Sequence, residues 1–211
     1  MIQNPLPADY YDRSLDNPIQ RYWHNKRYKE VLRIIKPLNG QLLDIGCDCG
    51  TFTEKMKESN QNLNIVAVDL SKKFVKYAAG KYSDIPYIIS DGQCLPFEKE
   101  SFDVMTCFEV LEHVVDPSAV IKETSRCLKK VGHFIVLVPN GDSLLFRLVW
   151  YLWLKGKGKP QREAHIHQFS ESDLEKQLVT LGFMMTKKTK FLFGMLLLIS
   201  AQKSDGGQPH E

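Results

Sequence analysis

Three acidic side chains, each at or just past an apolar run, can converge on one ligand in this chain of 211 residues. Asp44 sits in Leu42–Thr51 (LLDIGCDCGT), Asp69 closes the run Val-Ala-Val-Asp, and Asp91 lies in Ser90-Asp91-Gly92. Gly46 and Gly50 flank Cys47, Asp48 and Cys49. A glycine-rich turn between a strand and a helix lets a ligand approach the backbone closely. An acid at the end of the second strand can accept both hydroxyls of a ribose. Three carboxylates with no phosphate-binding lysine suit a cationic adenosine-type ligand better than an anionic one. A pyrophosphate wants G-x-G-x-x-G, and Gly46-x-Asp48-x-Gly50 does not complete it. A nicotinamide dehydrogenase is thus a rival supported by fold topology alone.

The acids need strands to carry them to one sheet edge. Short β-rich runs alternate with helical patterns, which predicts an α/β fold with a mostly parallel sheet. The strands are read as Gln41–Ile45, Asn64–Val68, Tyr87–Ser90, Phe102–Phe108 and His133–Val138, with a closing pair at Thr186–Phe193 and Met195–Gln202. Helices are read at Asn17–Ile35, Phe52–Glu58, Ser71–Lys81, Pro117–Leu128, Ser143–Leu154 and Ser170–Leu181. Ser71 is an N-cap, and Pro117 suits a first helical turn. Ligands bind at the carboxyl ends of such strands.

These motifs resemble the class I methyltransferase family that uses S-adenosylmethionine (SAM). Leu42–Gly50 is similar to that family's first motif, and Phe102-Asp103-Val104 with Phe108-Glu109-Val110-Leu111-Glu112-His113-Val114 to its fourth-strand motif. Leu128–Phe134 (LKKVGHF) resembles its entry to strand five. The resemblance covers about Leu42 to Asn140. It implies a Rossmann-like three-layer sandwich, with a seven-stranded, mostly parallel sheet and an antiparallel last strand. It implies SAM as cofactor, held by Asp44, Gly46, Cys47, Asp48, Gly50, Asp69, Leu70, Asp91, Gly92, Phe108 and Glu109. One position departs: Asp48 stands where the family usually has glycine. Aspartate tolerates left-handed backbone better than most residues, and it adds a carboxylate.

Methyl transfer from a sulfonium is an in-line displacement that gains much of its rate from alignment. An oxygen or nitrogen acceptor must also lose a proton, so a base helps. The candidates are His113 and the pair His165 and His167, whose alternation puts both on one face of an extended segment. His113 has a structural reading beside the catalytic one, and the pair can equally be a strap. No metal is expected. The alternative is Glu109, Glu112 and His113, which resemble positions linked to a metal in ubiquinone-type O-methyltransferases.

Acceptor choice is expected in the N-terminal cap (1–40) and in an insertion (141–169), within one domain of residues 1–203 and ahead of a polar tail (204–211). Tyr11, Trp23 and Trp150 are the substrate-side candidates. Ser143–Leu154 (SLLFRLVWYLWL) is apolar nearly all round, and lysines follow it. Such a helix is buried, bound to a partner or dipped in a membrane interface. The readings that follow are a small, hydrophobic acceptor (lipid or quinone-like), with peripheral membrane contact through 143–159, a lid packed on its own core, or a dimer contact. A SAM-binding protein without catalysis, and a methyltransferase for protein or RNA, are the alternatives.

The net charge of +3 is too small to imply a nucleic-acid partner. Amino-methylating DNA enzymes carry N/D-P-P-Y after strand four, where this chain has Cys107-Phe108-Glu109-Val110. Five cysteines without a C-x-x-C pair read as free thiols in a reducing compartment. The start of the chain has no apolar signal region, and no run is long enough to span a bilayer, so the expected location is cytoplasmic. Oligomeric state is left open.

Overall fold

Capping residues and apolar runs set the elements in chain order. A computed structural model describes residues 7–155 and 166–205. It contains α1 (Tyr10–Ser14), α2 (Pro18–Ile35), β1 (Gly40–Ile45), α3 (Thr51–Ser59), β2 (Leu63–Asp69), α4 (Lys72–Lys81) and β3 (Tyr87–Ile89). Then come β4 (Phe102–Phe108), a 3-10 turn (Leu111–His113), α5 (Pro117–Cys127), β5 (Leu128–Pro139), α6 (Leu144–Lys155), α7 (Glu171–Thr180), β6 (Phe183–Phe191) and β7 (Leu196–Lys203). Asn17 caps α2 by accepting from the Ile19 and Gln20 amides at 2.9 and 3.2 Å. Asp116 caps α5 ahead of Pro117, whose missing N–H costs nothing at that position.

The seven strands form one sheet in the order β3-β2-β1-β4-β5-β7-β6. β1, β2, β3, β4 and β5 pair in parallel; β7 runs antiparallel to both β5 and β6. The expected three-layer, mostly parallel sandwich is therefore the fold. Parallel sheets are covered on both faces, so their central strands are continuously apolar. Leu42–Ile45 and Phe134–Val138 are all buried for that reason. Leu43, Ile45, Met105, Phe134 and Val136 face α5 and α7. Leu42, Val104, Ile135 and Leu137 face α2 and α3.

Three boundaries differ from the sequence reading. β5 begins at Leu128 rather than His133. Phe102 pairs with Leu128 and Val104 with His133, so residues 129–132 bulge against Asp103. Lys129 fastens this bulge to Asp103 at 2.8 and 3.0 Å. A charged, glycine-containing bulge does not alternate like a strand, which hides it from a pattern reading. β6 starts at Phe183, because the register shift between Met185 and Lys187 breaks the alternation there. α1 is a helix of its own ahead of α2.

Buried Asn60 joins the end of α2 to the start of β2. Its Nδ2 donates to the carbonyls of Ile35, Lys36 and Leu38 at 3.0, 3.2 and 2.7 Å, and its Oδ1 accepts from the Asn62 amide at 3.0 Å. Ile35 and Lys36 end α2 and Leu38 lies in the turn beyond it, so one side chain ties the helix end to that turn. Asn60→Ala should lower unfolding stability by about 2 kcal/mol in urea titration, since it strands buried polar groups. A loss under about 0.5 kcal/mol would mean that water replaces the amide.

Candidate cofactor and acceptor site

Asp44 closes β1 at the centre of the sheet edge. It is buried, and Thr53 and Thr106 donate hydroxyl hydrogen bonds to its two oxygens at 2.6 and 2.7 Å. Desolvation pushes its pKa up to about 6, against the pull of these two donors. Asp44 thus ties α3 and β4 to β1 and anchors the loop that follows. In that loop Gly46, Asp48 and Gly50 all have positive φ, at 76°, 49° and 78°. A Cβ on Gly46 would meet Val110 Cγ2 at 2.2 Å, so the turn requires glycine there.

Asp48 takes the left-handed backbone that glycine usually supplies. Its amide donates to Asp69 Oδ2 at 3.0 Å, while the Ser71 amide donates to Asp69 Oδ1 at 2.8 Å. The Asp69 carboxylate is thereby fixed in orientation, with a lone pair left on each oxygen. Asp91 is shaped by Gln93, whose backbone and side-chain nitrogens reach Asp91 Oδ1 at 2.9 and 3.1 Å. Asp48, Asp69 and Asp91 are each half-buried along one edge, with Gly92 beside Asp91 and Leu70 exposed beside Asp69. Cys47 is buried, and desolvation raises its thiol pKa, so it is inert packing. Paired acceptors at the end of β2, a further acid past β3 and a left-handed loop suit SAM: a cis-diol, an adenine amino group and two cationic centres.

The N-terminal segment covers this edge. Asp12 Oδ1 accepts from Thr51 Oγ1 at 2.7 Å, and Asp12 Oδ2 accepts from Tyr77 and Lys81 at 2.8 and 2.6 Å. Burial opposes ionisation of Asp12, but these donors outweigh it and hold its pKa below the usual range. From α2, buried Arg27 pairs with Glu109 at 2.8 Å. Glu109 reaches it from a left-handed backbone, φ 54°, just past β4. His24 bridges Arg27 and Ser14, and its pKa falls to about 4 through desolvation and the neighbouring guanidinium. Tyr11 donates to the Tyr28 hydroxyl at 2.8 Å, and Phe108 stacks near Phe52 with ring centroids 5.0 Å apart. Trp23 packs half-buried against the same apolar cluster.

The E-x-x-E-H residues separate instead of converging. Glu109 belongs to Arg27, while Glu112 is buried with its Oε2 unpartnered and desolvation raising its pKa far above the carboxylate range. His113 is exposed at the end of the 3-10 turn. Among the described residues no three His, Cys, Asp or Glu side chains come together as metal ligands. The amides of Ile166 and His167 donate to the Glu112 carbonyl at 2.8 and 3.2 Å, so this strap crosses the turn. His167 Nε2 lies 3.3 Å from the Val115 carbonyl. Glu112, Pro139, Phe146, His167 and Phe169 line a small recess beside the start of α6, with room for about one water molecule. His165 and the side chain of Trp150 lie outside the described residues.

The sequence pattern did not reveal the latch on Asp12, nor Tyr77 and Lys81. The i, i+4 spacing of those two on α4 was the available signal. Arg27, with Trp23 and His24, reads in the sequence as a residue that could line the acceptor cleft; its pairing with Glu109 was not legible there.

A methyltransferase-domain family profile matches residues 43–136. The chain is 33% identical over 186 residues to an uncharacterized protein of Methanocaldococcus jannaschii, covering 88% of this chain and 83% of that one. It is 30% identical over 166 residues to the ubiquinone biosynthesis O-methyltransferase of Aliivibrio fischeri, covering 69% of each. Among solved structures it is similar to the magnesium protoporphyrin IX methyltransferase of Synechocystis PCC 6803 with bound S-adenosylhomocysteine (SAH). That match has a TM-score of 0.73 and 19% identity, covering 93% of this chain and 94% of the other.

Asp12→Ala should release α1. Amide hydrogen exchange in residues 10–14 should accelerate about fivefold or more, with the sheet amides unchanged. Unaltered exchange in α1 would show that the apolar contacts of Tyr11 hold the cap without the latch.

Proposed function

The chain belongs to the class I SAM-dependent methyltransferase family, and from that premise we propose that it methylates a small, hydrophobic, quinone-like or lipid acceptor admitted beneath α6. The supporting observation is the doubly anchored Asp69 carboxylate beside a left-handed loop. We assign Asp69 to the ribose hydroxyls of SAM and Asp91 to the adenine end, with Gly46, Asp48 and Gly50 lining the methionine end. SAM supplies an activated methyl group and needs no covalent nucleophile from the protein. The protein's own work is to align the acceptor, exclude water and take up one proton.

His167 is the base we favour. With Nε2–H donating to the Val115 carbonyl, the neutral ring keeps its Nδ1 lone pair free for a proton. Glu112, kept neutral by burial, contributes a hydrogen-bond donor to the same recess rather than a charge. The apolar character of the acceptor is inferred from α6. Phe146 packs inward, while Leu144, Leu148 and Tyr151 are 78%, 55% and 54% exposed. Singly exposed apolar residues are ordinary, but a row on one helix marks an interaction surface. No helix among the described residues is long and apolar enough to cross a membrane. Contact by α6 with a membrane surface would then be peripheral. The ubiquinone O-methyltransferase relative is consistent with an acceptor drawn from a lipid phase.

Three measurements test this reading. Asp69→Ala should weaken SAM binding by more than about tenfold in calorimetry, because a buried charged acceptor is lost. Unchanged affinity refutes the ribose assignment. Radiolabelled SAM offered with prenylated phenols should give a labelled methyl ether, and His167→Gln should lower kcat about 100-fold or more. If only peptide or RNA fractions take up label, the acceptor class is wrong. In vesicle flotation the protein should rise with anionic liposomes and Leu148→Glu should not; a wild type that stays at the bottom removes the membrane contact.

A further inference from the structure

Asp48 is the one residue of the loop whose side chain departs from the family pattern, and its surroundings give that carboxyl a task. The amide of Asp48 is spent on Asp69 Oδ2. Its carboxyl has no ion pair among the described residues. The charged groups facing it come from every neighbouring element. From β2 there is Asp69 and from α1 Asp12. From α2 comes Arg27, which Glu109 past β4 already neutralises at 2.8 Å. Cys47 and Cys49 flank it as neutral thiols, since burial raises both pKa values. Lys81, another nearby cation of the cap, belongs to Asp12.

Asp48 therefore sits in an acidic recess whose cations are already paired with other acids. Asp44 is buried, with one hydroxyl hydrogen bond on each oxygen from Thr53 and Thr106. Asp69 retains acceptor capacity for the ribose. Asp48 keeps a carboxyl that accepts from the Cys49 amide and has no ion pair among the described residues, and the assignment above puts this loop against the methionine end of SAM. That end carries an ammonium, a carboxylate and, before transfer only, a sulfonium, so its net charge is +1 in SAM and zero in SAH.

We propose that Asp48 reads the charge of the cofactor: its carboxylate pairs with the cationic methionine end and makes the site prefer SAM to the neutral-sulfur product SAH. This rests on the SAM assignment above and adds a residue-specific consequence to it. A glycine at this position binds both ligands through the backbone and cannot sense the sulfonium. An aspartate attracts the substrate more than the product, so it favours product release after each transfer.

Desolvation and the Asp69 charge push the Asp48 pKa up to about 7 in the ligand-free protein. The sign follows. A cation binds the deprotonated form, so below that pKa each SAM bound expels one proton to the buffer. SAM affinity should then rise as pH increases toward 7, by at most about tenfold per pH unit, and level off above. No other atom changes hands in binding.

Calorimetry with SAM and with SAH, from pH 6 to 8 and in two buffers of different ionisation enthalpy, tests the proposal. The wild type should release close to one proton on binding SAM near pH 6. Asp48→Asn should bind SAM about tenfold more weakly at pH 8, lose SAH affinity by under about threefold, and lose the pH dependence. Asp48→Gly, which restores the family's residue, should behave like Asp48→Asn if charge matters and not backbone shape. Equal loss for SAM and SAH, or undiminished SAM binding by Asp48→Asn, overturns the charge-reading role while leaving the cofactor assignment intact. Failure of the wild type to bind SAM overturns the cofactor assignment itself. Circular dichroism of each variant confirms folding, so weak binding cannot be mistaken for unfolding.

Discussion

The buried carboxyl of Asp44 is the point on which the site depends. A charge in the protein interior is stable only when its lone pairs are satisfied. Thr53 from α3 and Thr106 from β4 supply that, and in doing so they fix where β1 stops and α3 starts. Between those points the chain has five residues, 46–50, in which to reverse direction. Three of them adopt positive φ to do so. The loop shape, the amide aimed at Asp69 and the resulting orientation of the Asp69 carboxylate all follow from that short span. Losing Asp44 would free two buried hydroxyls and the start of α3.

The cap over this edge is held by a second kind of interaction. Arg27 is buried with Glu109, and breaking such a pair from one side leaves a bare charge that is strongly unfavourable. His24, Ser14, Tyr11 and Tyr28 form a hydrogen-bonded layer around it. The Arg27–Glu109 pair also explains why E-x-x-E-H does not assemble as three ligands. Glu109 must turn through a left-handed conformation toward α2, Glu112 points into the interior, and His113 remains outside. The three are close in sequence but belong to different environments.

The strand, turn and helix start at the carboxyl edge of the sheet were legible in the sequence and the contacts of the cap were not, for a physical reason. The edge is coded locally: LLDIGCDCGT carries its strand, turn and helix start within ten residues, Asp69 closes β2, and Asp91 lies two residues past β3. The parallel sheet was legible because buried strands such as Phe134–Val138 are unbroken apolar runs. The bulge before His133 was not, since its stability comes from Asp103 on another strand. The Asp12 latch was invisible for the same reason, because its partners are 39, 65 and 69 residues away. Asp48 was readable as a departure from glycine and as tolerant of left-handed backbone, which is how it is built.

The electrostatics of the edge then account for the choice of ligand. Arg27, buried on α2, is paired with Glu109 past β4, and Lys81 on α4 with Asp12 of the cap. Their pairing keeps the cap shut without lending positive charge to the recess. What remains is a set of carboxylates held at fixed positions by backbone amides and hydroxyls, with desolvation raising the pKa of Asp44, Asp48 and Asp69 together. Like charges gathered in a poorly solvated recess destabilise the empty site, and only a cation of the right shape relieves the repulsion. A dinucleotide with its pyrophosphate would add to that repulsion. A sulfonium with an ammonium and a ribose diol removes it, so the strain of assembling the acids is returned as selectivity for the cofactor.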